Sequence, residues 1–154
     1  RREADVVIRI TTAPSENLFG QRLGELEFAV YGSDTLVSRI GADSPYSAFP
    51  WLGFDDRLPV HAGLAQWMKA NAQGAEVVMR IDENSLLART AVRSGTGVFF
   101  LPTVEGDATP GIQQIGPVHF KRDLWLLTLN DLRHTNRIRT FMNHVMEQRP
   151  RLFA

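Results

Sequence analysis

No cysteine occurs anywhere in the 154 residues. Disulfides, thiolate nucleophiles and cysteine metal sites are therefore excluded, and nothing in the chain would respond to its redox compartment. A surplus of either charge is also missing, because 17 Lys plus Arg balance 17 Asp plus Glu. With no net field to draw phosphate backbones or anionic lipid, the composition argues against stand-alone nucleic-acid or membrane binding. No apolar run approaches the roughly 18 residues of a membrane span. The opening RREADVVIRI also lacks the apolar core and small-residue cleavage pattern of an export signal. The chain reads as soluble, not exported and cytoplasmic.

Catalytic signatures are equally scarce. The nearest approach to the tight serine turn of an α/β-hydrolase, Ser94-Gly95-Thr96-Gly97, has no central serine. It lacks the third glycine of a dinucleotide fingerprint and the Gly-Lys-Ser/Thr of a phosphate loop, so it is better read as a helix stop and close strand entry. His61, His119, His134 and His144 are scattered without a His-x-x-x-His pair, which points to surface positions or caps and not to a metal. No enzyme activity, cofactor or metal is expected.

What is present is an ordinary globular composition, 44% hydrophobic and 22% charged, sufficient for one domain or two small lobes. Residues 5–11 are a β-branched apolar strand with nothing upstream to pair or cover it, so the chain looks cut at its front. Thr12 to Gly24 reads as a polar connection, and Leu26 to Tyr31 as a second strand. Ser33 can cap a helix over Asp34 to Ile40 that Gly41 ends. Trp51 to Phe54 reads as a short buried strand, followed by an acidic turn at Asp55 and Asp56. A helix then carries Leu64, Trp67, Met68 and Ala72 on one face.

Ala75 to Ile81 is the next strand. Asp82 or Asn84 can cap a helix with Leu86, Leu87, Thr90 and Ala91 as its apolar face, and Gly97 to Leu101 is an apolar strand that stops at Pro102. Two such β-α units in succession predict parallel strands covered by helices. Gly111 to Gly116 reads as a short extended piece, Leu124 to Leu129 as a strong strand, and Asn136 to Gln148 as an amphipathic helix with Ile138, Phe141, Met142 and Val145 on one face. Trp51, Trp67 and Trp125 are expected in the core.

Five stretches in one order carry a resemblance that spans the chain: EADVVIRIT, LEFAVYGS, PWLGFDD, ENSLLARTAVRSGTGVFFLP and DLWLLTLNDLRHTNRIRTFMNHV. Together they resemble the effector-binding domain of LysR-type transcriptional regulators. The resemblance implies an α/β fold, two-lobed and periplasmic-binding-protein-like (type 2), with an effector held in the cleft between lobes. Residues 1–22 would form part of lobe I, 23–110 a complete lobe II, and 111–154 the return to lobe I. On this reading residues 1–11 and 124–129 share a sheet apart from 97–101. The family's winged-helix domain, linker helix and first elements of lobe I are missing from the pattern.

In open α/β sheets ligands lie beyond the carboxyl ends of the strands, near helix N-termini that suit small organic acids. Applied here, that rule nominates Thr11 and Thr12 in lobe I, and Phe54, Asn84, Ser85, Pro102 and Thr103 in lobe II. Their plainer roles are strand ends and helix caps. Asp55 and Asp56 read as a solvated turn that would repel an acid. The expected partners are a small-molecule effector, with a carboxylate as candidate, and a second copy in a homodimer or higher assembly. DNA would be met only through the missing winged helix. Arg133, His134, Arg137 and Arg139 form a local basic cluster, read as a solvated face. A transport-type solute-binding protein of the same fold is the alternative, and an enzyme on a related two-lobed fold the third reading.

Overall fold

The computed structural model describes residues 4–54, 62–81 and 85–152, with only the backbone of Ala62, Ser85 and Leu152. The β-branched run near the start forms β1 (Val6–Ile10), which pairs antiparallel with the end of β6 (Ile112–Leu129), Val6 opposite Thr128 and Ile10 opposite Leu124. Next comes β2 (Leu18–Ser33), a single strand of 16 residues. Its end leads directly into α1 (Asp34–Ile40): the Ser33 hydroxyl accepts from the Leu36 N–H at 3.1 Å, and Gly41 closes the helix at a φ of 106°. A 3-10 turn over Tyr46–Ala48 precedes β3 (Trp51–Gly53), followed by α2 (Ala62–Asn71), β4 (Val77–Arg80) and α3 (Ser85–Arg93). Then follow β5 (Phe99–Pro102), a single turn α4 (Thr103–Gly106), β6 and the terminal α5 (Asn136–Leu152).

The chain packs as two units. The first contains Arg1–Glu27 and Phe120–Ala154. Its core is Leu23, Leu126, Ile138 and Met142, with Val6, Leu124 and Val145 packed against them. Burial of such side chains, at roughly 1.5–3 kcal/mol each, is what holds α5 on the strands. The second unit is Phe28–His119. There β3 and β4 run parallel, Gly53 opposite Arg80, and a parallel bridge from Trp51 to Val98 brings in the approach to β5. The end of β2 is antiparallel to β5, Phe28 opposite Pro102. Its core joins Ala29, Tyr31, Leu52, Ile81, Ala88, Val92 and Leu101.

Five sequence expectations need correction. Residues 18–24 are strand, not polar connection, because Gly20 is there for close packing: a Cβ on it would collide with the Leu126 carbonyl and the Leu127 side chain. The extended piece at 111–116 and the strand at 124–129 belong to one strand, β6. The helix over 85–93 buries Ala88, Ala91 and Val92, whereas Leu86 and Leu87 are 58% and 49% exposed. Phe141 likewise faces outward at 51% exposure, while Ile138 and Met142 are buried. Finally, residues 1–11, 124–129 and 97–101 fall in one hydrogen-bonded strand order, β1-β6-β2-β5, where separate sheets were expected.

Candidate functional site

In the second unit β3, β4 and β5 point the same way, so their carboxyl ends reach one edge of the sheet. Phe54 follows β3 at that edge, 9% exposed, with its ring 6.2 Å from Phe99. Its carbonyl accepts from Arg80 Nη1 at 3.2 Å, which ties the ends of β3 and β4 together. Ser85 opens α3 after β4, and Asn84, with Asp55, Asp56 and Asp82, lies outside the described residues. Pro102 is the last residue of β5 and caps α4 without a side-chain hydrogen bond; Thr103 begins that turn, its carbonyl taking the Asp107 N–H at 2.9 Å. Strand direction therefore brings Phe54, Ser85, Pro102 and Thr103 to the same edge, the position where ligands of open α/β sheets collect.

Thr11 and Thr12 belong to the first unit, directly after β1. The Thr11 N–H donates to the Asp123 carbonyl at 3.1 Å and its hydroxyl to the Ala13 carbonyl at 3.0 Å. With that proton engaged, the Thr11 oxygen offers only lone pairs, which suit a donor on a ligand better than a carboxylate. Thr12 is exposed.

A family model described as the LysR substrate binding domain matches residues 1–150. The chain belongs to that family. It is thus the effector-sensing domain of a LysR-type regulator, and family membership does not favour the transport reading. The LysR domain resembles the CrgA regulatory domain of Neisseria meningitidis at TM-score 0.75 and 18% identity, over 95% of this chain and 76% of that one. It also resembles the AmpR effector binding domain of Citrobacter freundii at TM-score 0.74 and 21% identity, over 96% and 75% of the two chains. A C227S variant of the AphB regulatory domain from Vibrio vulnificus matches at TM-score 0.69 and 15% identity, over 94% and 77%. No curated protein matches the chain significantly. The fold is α/β and type 2 periplasmic-binding-protein-like, and the chain spans about three quarters of those regulatory domains.

Sequence reasoning missed two polar pairs inside the LysR domain's second unit. The first is Tyr31, whose hydroxyl donates to Asp107 Oδ1 at 2.7 Å. Burial, and then the neighbouring carboxylate, hold that phenol well above its usual range. Gly106 makes the pair possible, since a Cβ there would strike the Tyr31 ring. The second is Tyr46 with His119, Oη 2.7 Å from Nε2, set among Trp51, Trp67 and Phe100. Tyr46 Oη also lies 3.2 Å from the Ile115 carbonyl, which can only accept, so a Tyr46 that donates there receives Nε2–H from His119. Burial pushes Tyr46 up and His119 down. His119 is therefore part of an aromatic cluster and not the surface group the sequence suggested. The partners lie 73 positions apart, so no local pattern could have shown them.

Proposed function

We propose that this sensing domain recognises a small organic effector, with a carboxylate as the candidate class, through the strand-end residues of its two units: Thr11 and Thr12, and Phe54, Asn84, Ser85, Pro102 and Thr103. The observation that supports this reading is the common edge of Phe54, Pro102 and Thr103, which combines an apolar ring and a hydroxyl, with the backbone start of α3 at Ser85 following β4. A carboxylate needs donors, and Thr103 and Ser85 can supply them. Binding would shift the conformational equilibrium that a DNA-binding winged helix, outside this chain, reads. We read the domain as cytoplasmic and non-catalytic. Its family consists of regulator sensing domains, and its sequence holds no nucleophile motif.

We also take the working assembly to be a homodimer or higher. Support comes from the edge of β4, which among the described residues pairs with β3 alone and carries the exposed Val77, Val78 and Met79. The test of effector recognition is a thermal-shift screen of small carboxylates and phenols. A hit should raise the melting temperature, and Thr103→Ala should weaken its binding by about tenfold, the worth of one hydrogen bond to a charged group. Affinity unchanged in both Thr103→Ala and Ser85→Ala would overturn this assignment.

A further inference from the structure

A groove of about 390 Å³ opens on the first unit, between the start of β2 and the first turns of α5. That is within the usual range for small-ligand sites, roughly 300–1,000 Å³. Phe19 and Gln21 line it from the strand, and Arg139, Met142 and Asn143 from the helix. Arg133, from the loop before α5, closes one side. The unit's strands run β1-β6-β2, so the groove lies at the β2 side, away from the open edge of β1.

The floor is apolar: Met142 is buried and Phe19 is 36% exposed. The rim is cationic. Arg133 lies over the Phe19 ring, its guanidinium carbon 5.4 Å from the ring centre, so one face is taken and the edge N–H groups remain. Its Nε donates to Nε2 of His134, also in the lining, at 3.1 Å. That bond places the imidazole proton on Nδ1 and leaves the Arg133 Nη groups for another acceptor. The Arg139 side chain makes no hydrogen bond or ion pair among the described residues. Arg137, two positions earlier, is by contrast tied to Asp5 Oδ2 at 2.9 Å. Among the described residues no carboxylate lines the groove, and Gln21 and Asn143 add neutral donors.

Two arginines with open donors above an aromatic and a thioether floor match one kind of molecule. We infer that this groove is a second ligand site, separate from the strand-end residues above, for a small organic anion with a flat apolar body. Its carboxylate would sit against Arg139 and Arg133, and its ring on Phe19 and Met142. Charge alone would not fill the floor, and an apolar body alone would leave the guanidinium groups without a partner.

The test reads Met142 directly. The four methionines are Met68, Met79, Met142 and Met146, so methyl-labelled methionine NMR gives a short, assignable spectrum. Benzoate, titrated to on the order of 10 mM, should move the Met142 methyl saturably. Benzamide, its neutral counterpart, should do so at least about tenfold more weakly, and sodium sulfate should not reproduce the shift. Arg139→Gln should weaken benzoate by about tenfold or more, whereas Arg137→Gln should leave it unchanged. An unaltered Met146 signal from the first unit's core, with unaltered Met68 and Met79 signals from the second, certifies the fold, and Arg133→Gln replaces the variant if Arg139→Gln loses them. A Met142 signal indifferent to benzoate, equal response to benzamide, a full response to sulfate, or undiminished binding by the arginine variants each overturns the site. Benzoate held at the strand-end residues would move other methyls on a separate curve, so the two proposals fail independently.

Discussion

His119 shows what a single residue gains from its surroundings. Among the described residues the groups packed on it are Tyr46, Trp67 and Phe100, and of these only Tyr46 titrates. Burial disfavours the imidazolium, so the folded chain holds the His119 proton less tightly than the unfolded chain does. Below the ordinary histidine value of 6.5 the unfolded state gains a proton that the folded state resists, and stability falls as the pH falls. Above that value the contribution is fully present. Urea midpoints measured between about pH 5 and 8 should therefore decline on the acid side, and His119→Phe should flatten that decline. Tyr46 keeps the Ile115 carbonyl as its acceptor in the variant, so the loss of slope would not be masked by an unpaired hydroxyl. A variant with the same acid-side slope as the parent would show that another group carries it.

At the scale of elements, legibility in the sequence depended on whether the signal was local. The cap at Ser33 and stop at Gly41 framed α1 correctly, and Pro102 marked the end of β5, because each acts within a turn of itself. Gly20 misled, since its purpose is contact with Leu126, more than a hundred positions away. Gly116 misled similarly: it reads as the end of a short extended piece, yet β6 passes through it. The strand-end residues could be nominated by rule from their position after each strand, and their ligand role is a proposal, while the Tyr46–His119 and Tyr31–Asp107 pairs and the groove beside Phe19 depend on tertiary contacts alone. For α3 the larger side chains drew the apolar face to Leu86 and Leu87. Ala91, read as part of that face, is buried, and with the small Ala88 it lets the helix backbone approach its neighbours, with Val92 wholly enclosed. The two readings differ in energy. Val92→Ala should cost roughly 1–3 kcal/mol, a buried truncation with its cavity, whereas Leu86→Ala should stay within about 0.5 kcal/mol. Chemical denaturation of both variants decides it, and a larger loss for Leu86 would restore the sequence-derived face.

At the scale of the whole molecule, the zero net charge that excluded a phosphate-seeking surface also removes the long-range repulsion that keeps proteins apart. Open edges then matter more. Every residue of β4 is exposed, and Val77, Val78 and Met79 form an apolar strand that pairs with β3 on one side. A strand of this kind gains backbone hydrogen bonds and apolar burial by meeting another chain, unless a charge is placed on it. The family's oligomeric habit fits that expectation, and it makes a quantitative forecast possible. Light scattering at micromolar concentration should give a mass well above the 17.3 kDa of one chain. Val78→Lys should lower it toward that value while costing no more than about 1 kcal/mol of stability, because Val78 is 40% exposed and its loss opens no cavity. Arg9→Glu on β1 separates the two edges: if it alone dissociates the assembly, association runs through the first unit. If both variants keep the parent mass, neither edge holds the copies together and the contact must be sought on the helices.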